Sequence, residues 1–324
     1  MRHRSRGVSR AVPVATVIVA AMSMAGTLVA TGPSHAAEAA GVRTTMPADV
    51  DISAASWSEP DWCADRKSLE DLQASYRPAT LKATLIEIAK RRYPPGVAVF
   101  ADAPQKAIAK YLETDLDAED YSTRSLGWLF SGLVHEMGHE WDGTHRSNGY
   151  TYRFFDDRVY RTAAIRTFPR SEILARYPNQ SGNVYKRYLG NTGGRDGING
   201  LLEEFVQYVH QLAASQCVTD FPPELVAAEE VPGEYTYLQD RDAVLTFMWY
   251  VQTYLAIARE EHPKDYRKII KARGLRTAIL DTWRRAEYWL ARTQTAPPGT
   301  ISAELEQRIR EPQNIREIQL LADR

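Results

Sequence analysis

His135-Glu136-Met137-Gly138-His139 is the stretch from which the fold is predicted, because it places two imidazoles four residues apart with a carboxylate between them. On an α-helix, residues i and i+4 lie one turn apart on the same face, so His135 and His139 can reach one metal ion. Glu136 lies one step round the helix and can face the open coordination position as a general base. The spacing therefore predicts a catalytic zinc site on a helix.

The residues before this motif predict the helix that carries it. Segment 126–134 contains no proline, and its apolar residues continue into the motif at spacings of three and four. These residues are Leu126, Leu129, Phe130, Leu133 and Met137. Gly132 and Gly138 each lower the helix propensity by about 1 kcal/mol relative to alanine, a cost that is tolerated where another element packs against the backbone. We therefore predict a half-buried helix with a very close neighbour.

A catalytic zinc ion takes three protein ligands and leaves its fourth position to water, so a third ligand must lie elsewhere in the chain. One candidate is His145, six residues after His139, which matches the last histidine of the metzincin pattern HExxHxxGxxH. The match is incomplete, because Asp142 stands at the glycine position of that pattern, and no methionine turn is found downstream.

The other candidate lies on a second predicted helix, 199–212, with Asn199 placed to cap its N-terminus. Glu204 falls on the apolar stripe of this helix, where an uncompensated carboxylate would be costly. A bound metal ion removes that cost. Glu203 lies one position round the helix, closer to solvent, and is the fallback. We predict Glu204 as the third ligand, with Glu203 and His145 as alternatives.

Two short segments resemble a known family. Residues 135–142, His-Glu-Met-Gly-His-Glu-Trp-Asp, and residues 203–208, Glu-Glu-Phe-Val-Gln-Tyr, resemble the HExGHxxD and downstream Glu-Phe signature of gluzincins of the anthrax lethal-factor type and related secreted bacterial zincins. The resemblance implies a zincin-like fold and a zinc metallopeptidase activity. It also implies that Asp142 supports the site by orienting a ligand.

The N-terminus predicts export. Residues 1–36 contain four early arginines, the apolar run 12–30 and the small residues Ser34-His35-Ala36, which is the pattern of a cleaved signal peptide. An uncleaved membrane anchor is the alternative, since the run is long enough to span a bilayer. The formal net charge is −1, and loss of these arginines makes the mature chain more acidic. We therefore predict a secreted protein that does not bind nucleic acid and has no stable membrane insertion after cleavage.

The chain contains two cysteines, Cys63 and Cys217. An exported protein with an even number of cysteines is expected to pair them, and two buried free thiols are the alternative. On the chain-entropy model, a loop of this length contributes about 4–5 kcal/mol. The predicted bridge ties the N-terminal region to the end of the Glu204 helix.

The rest of the chain predicts a mainly α fold with a small β element, of the α+β class. Residues 37–56 are predicted to be a flexible arm, and residues 57–324 a zincin-like catalytic domain, with two lobes around a cleft as a further possibility. Helices are predicted at 78–92, 244–257, 276–291 and 301–321, and a short strand at Val97–Phe100 on the edge of the cleft.

The interval between the two metal-binding segments is rich in tyrosine and phenylalanine and is predicted to form a lid or subdomain that faces the substrate. Tyr188 is the first candidate among them to donate a hydrogen bond to a tetrahedral intermediate, because it lies nearest to the Glu204 helix. Surface packing is the alternative and the commoner role of such a tyrosine. The glycine-rich segment 190–200 lacks the ending of a phosphate-binding loop and is predicted to be a mobile flap.

These features together predict a secreted zinc-dependent peptidase that acts on peptide or protein substrates, with Glu136 as the general base. The alternative is a catalytically inactive module with a zincin fold, toxin-like, that captures a protein or cell-wall partner. The presence of Glu136 favours the enzyme.

Overall fold

The computed structural model describes residues 51–64, 67–115, 126–146, 148–155, 158–177, 188–190, 192–220, 234–293 and 300–324. The predicted signal peptide, residues 37–50 of the predicted arm, and residues 178–187 of the predicted lid lie outside these ranges. The described part is mostly helical with one two-stranded sheet, which confirms the prediction of a mainly α fold with a small β element.

The described residues contain twelve α-helices, numbered in chain order, and two strands. Helices α1 to α12 span Glu70–Ser75, Leu81–Arg92, Gly96–Asp102, Gln105–Asp115, Leu126–His145, Glu172–Arg176, Ile198–Cys217, Glu234–Glu260, Pro263–Lys271, Arg273–Leu290, Ile301–Ile309 and Pro312–Ala322. Strands β1, Gly149–Phe155, and β2, Arg158–Ala163, form an antiparallel hairpin. Short 3-10 turns lie at Ala54–Ser56, Pro78–Thr80 and Thr192–Arg195.

Helix α7 lies at the centre of the fold and contacts α5, α8, α10 and β1. Its predicted apolar stripe is confirmed, since Leu201, Phe205, Val209 and Leu212 are fully buried. Burial of one such side chain contributes about 1.5–3 kcal/mol, so α7 cannot rotate about its axis without a large loss of stability. The direction in which its polar residues point is therefore set by the core.

Helix α5 carries the HExxH motif and packs directly on α7. A Cβ atom added to Gly138 would lie 1.9 Å from Oε1 of Gln207, which explains the glycine at that position. At Gly132 an added Cβ would make only an ordinary contact of 3.4 Å with the hydroxyl of Tyr111. The predicted close neighbour therefore exists at Gly138, and it is α7.

The prediction of a strand at Val97–Phe100 is wrong, because these residues lie in helix α3. Pro95 precedes the helix with αR dihedrals, φ −55° and ψ −26°, and a proline with this φ suits the start of a helix. Val99 and Phe100 are buried, and α3 packs on α2 and α5. A run of four apolar residues does not distinguish a strand from a buried helical turn, and here packing decided the outcome.

The starts and ends of other predicted helices also differ from expectation. Helix α7 begins at Ile198 with Gly197 at its N-cap, so Asn199 is not the cap. The Asn199 side chain instead accepts a hydrogen bond from the Ile165 amide at 3.2 Å and donates one to the Tyr152 hydroxyl at 3.0 Å. The predicted helix 301–321 is two helices, because Pro312 begins α12 and cannot continue α11.

The N-terminal part of the described chain is held on the core by covalent and polar contacts. The predicted Cys63–Cys217 disulfide is present and connects it to the end of α7. Residues 54–56 of the predicted arm form a 3-10 turn, and the Arg284 side chain donates to the carbonyl oxygen of Asp51. Among the described residues, no helix is both long and apolar enough to cross a bilayer.

Candidate metal centre

Helix α5 presents both histidines of the motif on one face. The Nε2 atoms of His135 and His139 lie 3.1 Å apart, and the ring centroids are separated by 4.8 Å. His135 is buried, His139 is partly buried, and Glu136 between them is also partly buried. The predicted arrangement of two imidazoles one turn apart is therefore confirmed.

Helix α7 brings Glu204 to these two rings. Its Oε2 atom lies 3.8 Å from Nε2 of His135 and 3.5 Å from Nε2 of His139. The three candidate ligand atoms all lie within 4.8 Å of one another, which forms a possible metal-binding site. Glu204 therefore occupies the place that the sequence predicts for the third ligand.

The dimensions and chemistry of this cluster fit a tetrahedral metal ion. Bonds of about 2.0–2.1 Å in a tetrahedron set neighbouring ligand atoms about 3.3–3.4 Å apart, close to the observed separations of 3.1, 3.5 and 3.8 Å. Oε2 of Glu204 is buried and makes no hydrogen bond among the described residues. A buried carboxylate oxygen without a hydrogen bond is costly, and a metal ion would remove that cost.

The sequence predicts that Glu203 points closer to solvent, and its side chain is slightly more exposed than that of Glu204, 18% against 13%. It does not turn away from the imidazoles, however, since its Oε1 atom lies 3.4 Å from Nδ1 of His139. A carboxylate beside Nδ1 favours the tautomer in which Nδ1 carries the proton. The lone pair of Nε2 is then free and faces the ligand cluster. Glu203 is therefore suited to orient His139.

The electrostatics of the cluster favour a cation. Burial opposes a charge on His139, but the carboxylates of Glu204 and Glu203 outweigh it and raise the pKa of this imidazole well above its usual value. Burial would raise the pKa of Glu203, yet its hydrogen bond to His139, together with Arg146 and Arg170, leaves that pKa below its usual value. The site thus concentrates negative potential where the two imidazoles meet.

Asp142 lies below the site, buried between three elements. Its Oδ1 accepts a hydrogen bond from the Arg153 amide of β1 at 3.2 Å, and its Oδ2 accepts one from Nε2 of Gln207 on α7 at 2.9 Å. Burial and the charge of Glu203 raise its pKa well above the usual value. These contacts connect α5 to both α7 and β1, so Asp142 helps to set the distance between the two ligand-bearing helices.

His145 lies outside the ligand cluster. Its ring stacks on Trp141 with centroids 3.8 Å apart, and its Nδ1 bonds the carbonyl oxygen of Trp141 at 2.8 Å. Its Nε2 lies 3.7 Å from Oδ2 of Asp102. The described residues therefore give the metzincin alternative no support.

Tyr208 packs beside His135 and is paired with Tyr188. The ring of Tyr208 packs edge-on against that of His135, with centroids 4.4 Å apart, and its hydroxyl is hydrogen-bonded to the hydroxyl of Tyr188. The sequence singles out Tyr188 as a candidate hydrogen-bond donor, whereas Tyr208 falls on the apolar stripe of the second helix. The signal for Tyr208 was its spacing of four from Glu204, which places both on the same face of α7.

The described part of the predicted flap is anchored. The carbonyl oxygens of Gly194 and Asp196 accept hydrogen bonds from the amides of Ser171 and Arg170, at 3.0 and 2.9 Å. These bonds fix the entry to α7, in contrast to the mobile segment that the glycine content predicts. The anchored segment therefore helps to fix the N-terminal end of α7, the helix that carries Glu203 and Glu204.

Comparisons with known proteins leave the site as the basis for assigning a function. No protein-family model, no curated protein and no solved structure matches this chain. The family resemblance therefore rests on the two short segments that meet in the metal centre.

Proposed function

We propose that this protein is a zinc-dependent peptidase that acts outside the cytoplasm, with zinc bound by His135, His139 and Glu204. The observation that supports the proposal is the meeting of two Nε2 atoms and one carboxylate oxygen within 4.8 Å on two packed helices. Two imidazoles and one carboxylate are a ligand set of catalytic zinc in hydrolases, and the set leaves one position for water. The resemblance to the lethal-factor type of gluzincin supports a peptide substrate.

Bound zinc supplies two effects, since it lowers the pKa of a coordinated water to about 7 and polarises a carbonyl group. Glu136 stands one residue after His135 and is the general base that accepts a proton from the attacking water. It then transfers this proton to the leaving amine. Glu203 holds His139 in the tautomer whose Nε2 is free to coordinate.

The Tyr188 and Tyr208 pair is assigned to stabilisation of the tetrahedral intermediate. The Tyr208 ring packs edge-on against the ring of His135, and the hydroxyls of the two tyrosines share one hydrogen bond. A donor that is already positioned before the reaction stabilises developing negative charge without reorganisation. We expect Tyr188→Phe to lower kcat more than it changes KM.

The location outside the cytoplasm is supported by the disulfide between Cys63 and Cys217. Disulfides persist in oxidising compartments and are rare in the cytosol. This agrees with the predicted export signal in residues 1–36.

The test of the proposal combines metal analysis with a peptidase assay. Purified mature protein should contain about one zinc per chain and should cleave members of a mixed peptide library. Glu204→Ala should weaken zinc binding tenfold or more, whereas His145→Ala should change it little. Wild-type protein that cannot take up zinc would refute the metal assignment.

A protein that holds zinc but cleaves no peptide would contradict the peptidase proposal. Binding of a protein or cell-wall partner by that zinc-loaded protein would then support the inactive module. Glu140→Gln is the matched control for variants of Glu136, because both are glutamates of α5 and Glu140 lies outside the ligand cluster.

A further inference from the structure

Arg146 follows directly on the last residue of α5 and lies at the rim of the metal centre. Its Nη2 atom is 3.5 Å from Oε1 of Glu203, the same oxygen that lies 3.4 Å from Nδ1 of His139. One carboxylate oxygen therefore separates this guanidinium from a candidate metal ligand. The Arg146 side chain is 40% exposed, so it is accessible to a molecule from solution.

Among the described residues, the hydrogen-bonding capacity of the Arg146 guanidinium is largely unused. A guanidinium has five N–H donors, yet the guanidinium of Arg146 forms no hydrogen bond among the described residues, and its contact with Glu203 is longer than the roughly 2.7–2.9 Å of a charge-assisted bond. Arg92 provides the contrast, because both of its Nη atoms donate to the Asp220 carboxylate at 3.0 Å. The two Nη groups of Arg146 are therefore available for a carboxylate, whereas those of Arg92 are already bonded to one.

Arg146 is also not needed to finish helix α5. The carbonyl oxygen of Trp141 in the last turn already interacts with the Thr144 hydroxyl at 3.0 Å and with Nδ1 of His145 at 2.8 Å. The Arg146 guanidinium instead lies over the ring of Tyr150, with Cζ 5.0 Å from the centroid. Stacking on an aromatic face restrains the guanidinium while its in-plane N–H groups stay available.

We propose that Arg146 binds a carboxylate of the substrate and so makes the metal centre selective for peptides with an anionic group close to the scissile bond. The inference rests on the proposed function, since it concerns the substrate of that site. Contacts of 3.4 and 3.5 Å through Glu203 connect His139 to Arg146. A peptide advances about 3.3–3.6 Å per residue, so the substrate carboxylate would lie a few residues at most from the reacting carbonyl. Arginine binds carboxylates in bidentate geometry. The carboxylate is either an Asp or Glu side chain or a free C-terminus.

The test measures binding without turnover. Zinc-loaded Glu136→Gln protein is the parent, and three matched peptides are titrated against it by fluorescence anisotropy. The first contains glutamate and has an amidated C-terminus, the second is its amidated glutamine counterpart, and the third is the glutamine peptide with a free C-terminus. We expect one of the anionic peptides to bind about 10- to 100-fold more tightly than the neutral one.

R146Q in the same background should bring the ratio of anionic to neutral affinity close to one, and R146K should restore part of it. R161Q is the matched control, because Arg161 is an exposed arginine of β2 outside the ligand cluster, and it should keep the parent ratio. Tight binding of the glutamate peptide indicates selection of a side chain within a longer substrate. Tight binding of the free C-terminus indicates an exopeptidase.

Three results would overturn the inference: equal affinity of the parent for all peptides, no binding of any of them, or an unchanged ratio in R146Q. Loss of zinc from R146Q would overturn it as well, because Arg146 would then be a structural partner of Glu203. Failure of the proposed function is distinguishable. Wild-type protein that hydrolyses no peptide while the parent still selects anionic peptides refutes the peptidase and leaves the carboxylate site standing.

Discussion

Two polar clusters contact helix α7, and they differ in how completely their side chains are satisfied. In the core cluster, Glu59 accepts hydrogen bonds from Nε of Arg285 at 2.8 Å and from Nε1 of Trp289 at 2.5 Å. Nη2 of Arg285 donates to the Tyr93 hydroxyl at 2.8 Å, and that hydroxyl bonds Nδ1 of His210 at 2.7 Å. The Glu59 and Arg285 side chains are 0% and 1% exposed. Each charge in this cluster has a partner at hydrogen-bonding distance.

At the metal centre the corresponding contacts are longer. Glu204 approaches the two imidazoles only to 3.8 and 3.5 Å, and Glu203 approaches His139 to 3.4 Å. Buried polar groups are normally hydrogen-bonded, so a cluster that leaves a carboxylate oxygen without a hydrogen bond calls for another explanation. The difference separates a cluster whose side chains are all paired from one that could hold a metal ion.

The two clusters also shift histidine in opposite directions. Burial lowers the pKa of His210 well below its usual value, and the positive charge of Arg285 adds to this effect. His139 is partly buried, but two carboxylates raise its pKa well above the usual value. His210 is therefore a neutral member of a saturated network, whereas His139 lies in a field that attracts cations.

The largest expected effect concerns turnover at the metal centre. Glu136→Gln removes the general base while it keeps the shape of the side chain, so kcat should fall by about 10²- to 10⁴-fold. Zinc content should stay the same, because Glu136 is not a ligand. The measurement is steady-state hydrolysis of a cleaved library peptide beside zinc analysis. Retention of most of the activity would contradict the assignment of Glu136 as the base.

The next effect concerns stability in the core cluster. Glu59→Ala leaves the Arg285 guanidinium buried without its carboxylate, and loss of one partner of a buried ion pair costs about 3–5 kcal/mol. Urea denaturation measures the loss. Glu87→Ala breaks an exposed pair with Lys90 and should cost far less. A similar loss in both variants would show that the core cluster does not hold the fold in the way described.

A smaller effect is expected for the carboxylate that orients His139. Glu203→Gln removes the charge that holds the Nδ1 proton, and loss of such a partner typically weakens metal affinity 10- to 100-fold. The free energy of unfolding of the metal-free protein should change little, in contrast to Glu59→Ala. Competition with a chelator of known affinity gives the zinc dissociation constant. An unchanged zinc dissociation constant would show that Glu203 does not contribute to metal binding.

The smallest effect depends on pH and tests burial alone. Burial raises the pKa of Asp240 to about 7, although hydrogen bonds from Ser215 and Gln211 act against it. An acid with a raised pKa in the folded protein contributes stability at low pH that is lost as pH rises from about 4, the unfolded value, through about 7. Asp240→Asn should therefore raise the free energy of unfolding, relative to the wild type, by about 1–3 kcal/mol more at pH 8 than at pH 5. Parallel pH curves for the variant and the wild type would contradict this.

Much of the candidate metal site could be predicted because its sequence pattern is local. The spacing of His135 and His139 places them on one helical face wherever the helix lies, and the position of Glu204 on an apolar stripe marks a carboxylate that needs a partner. Pairing of Cys63 with Cys217 followed from their number and the predicted export signal. The short run at Val97–Phe100 carried no such constraint, and packing on α2 and α5 made it helical.

The sequence by itself determined which residues can bind a metal ion and which helices carry them, because helical periodicity relates residues a few positions apart. Only the tertiary structure decided how those helices face each other. It placed Glu203 on Nδ1 of His139, brought Arg146 to the same oxygen, and set Tyr208 beside His135. These contacts depend on the close approach of α5 and α7 at Gly138 and on the core that fixes the rotation of α7, and no local pattern encodes either.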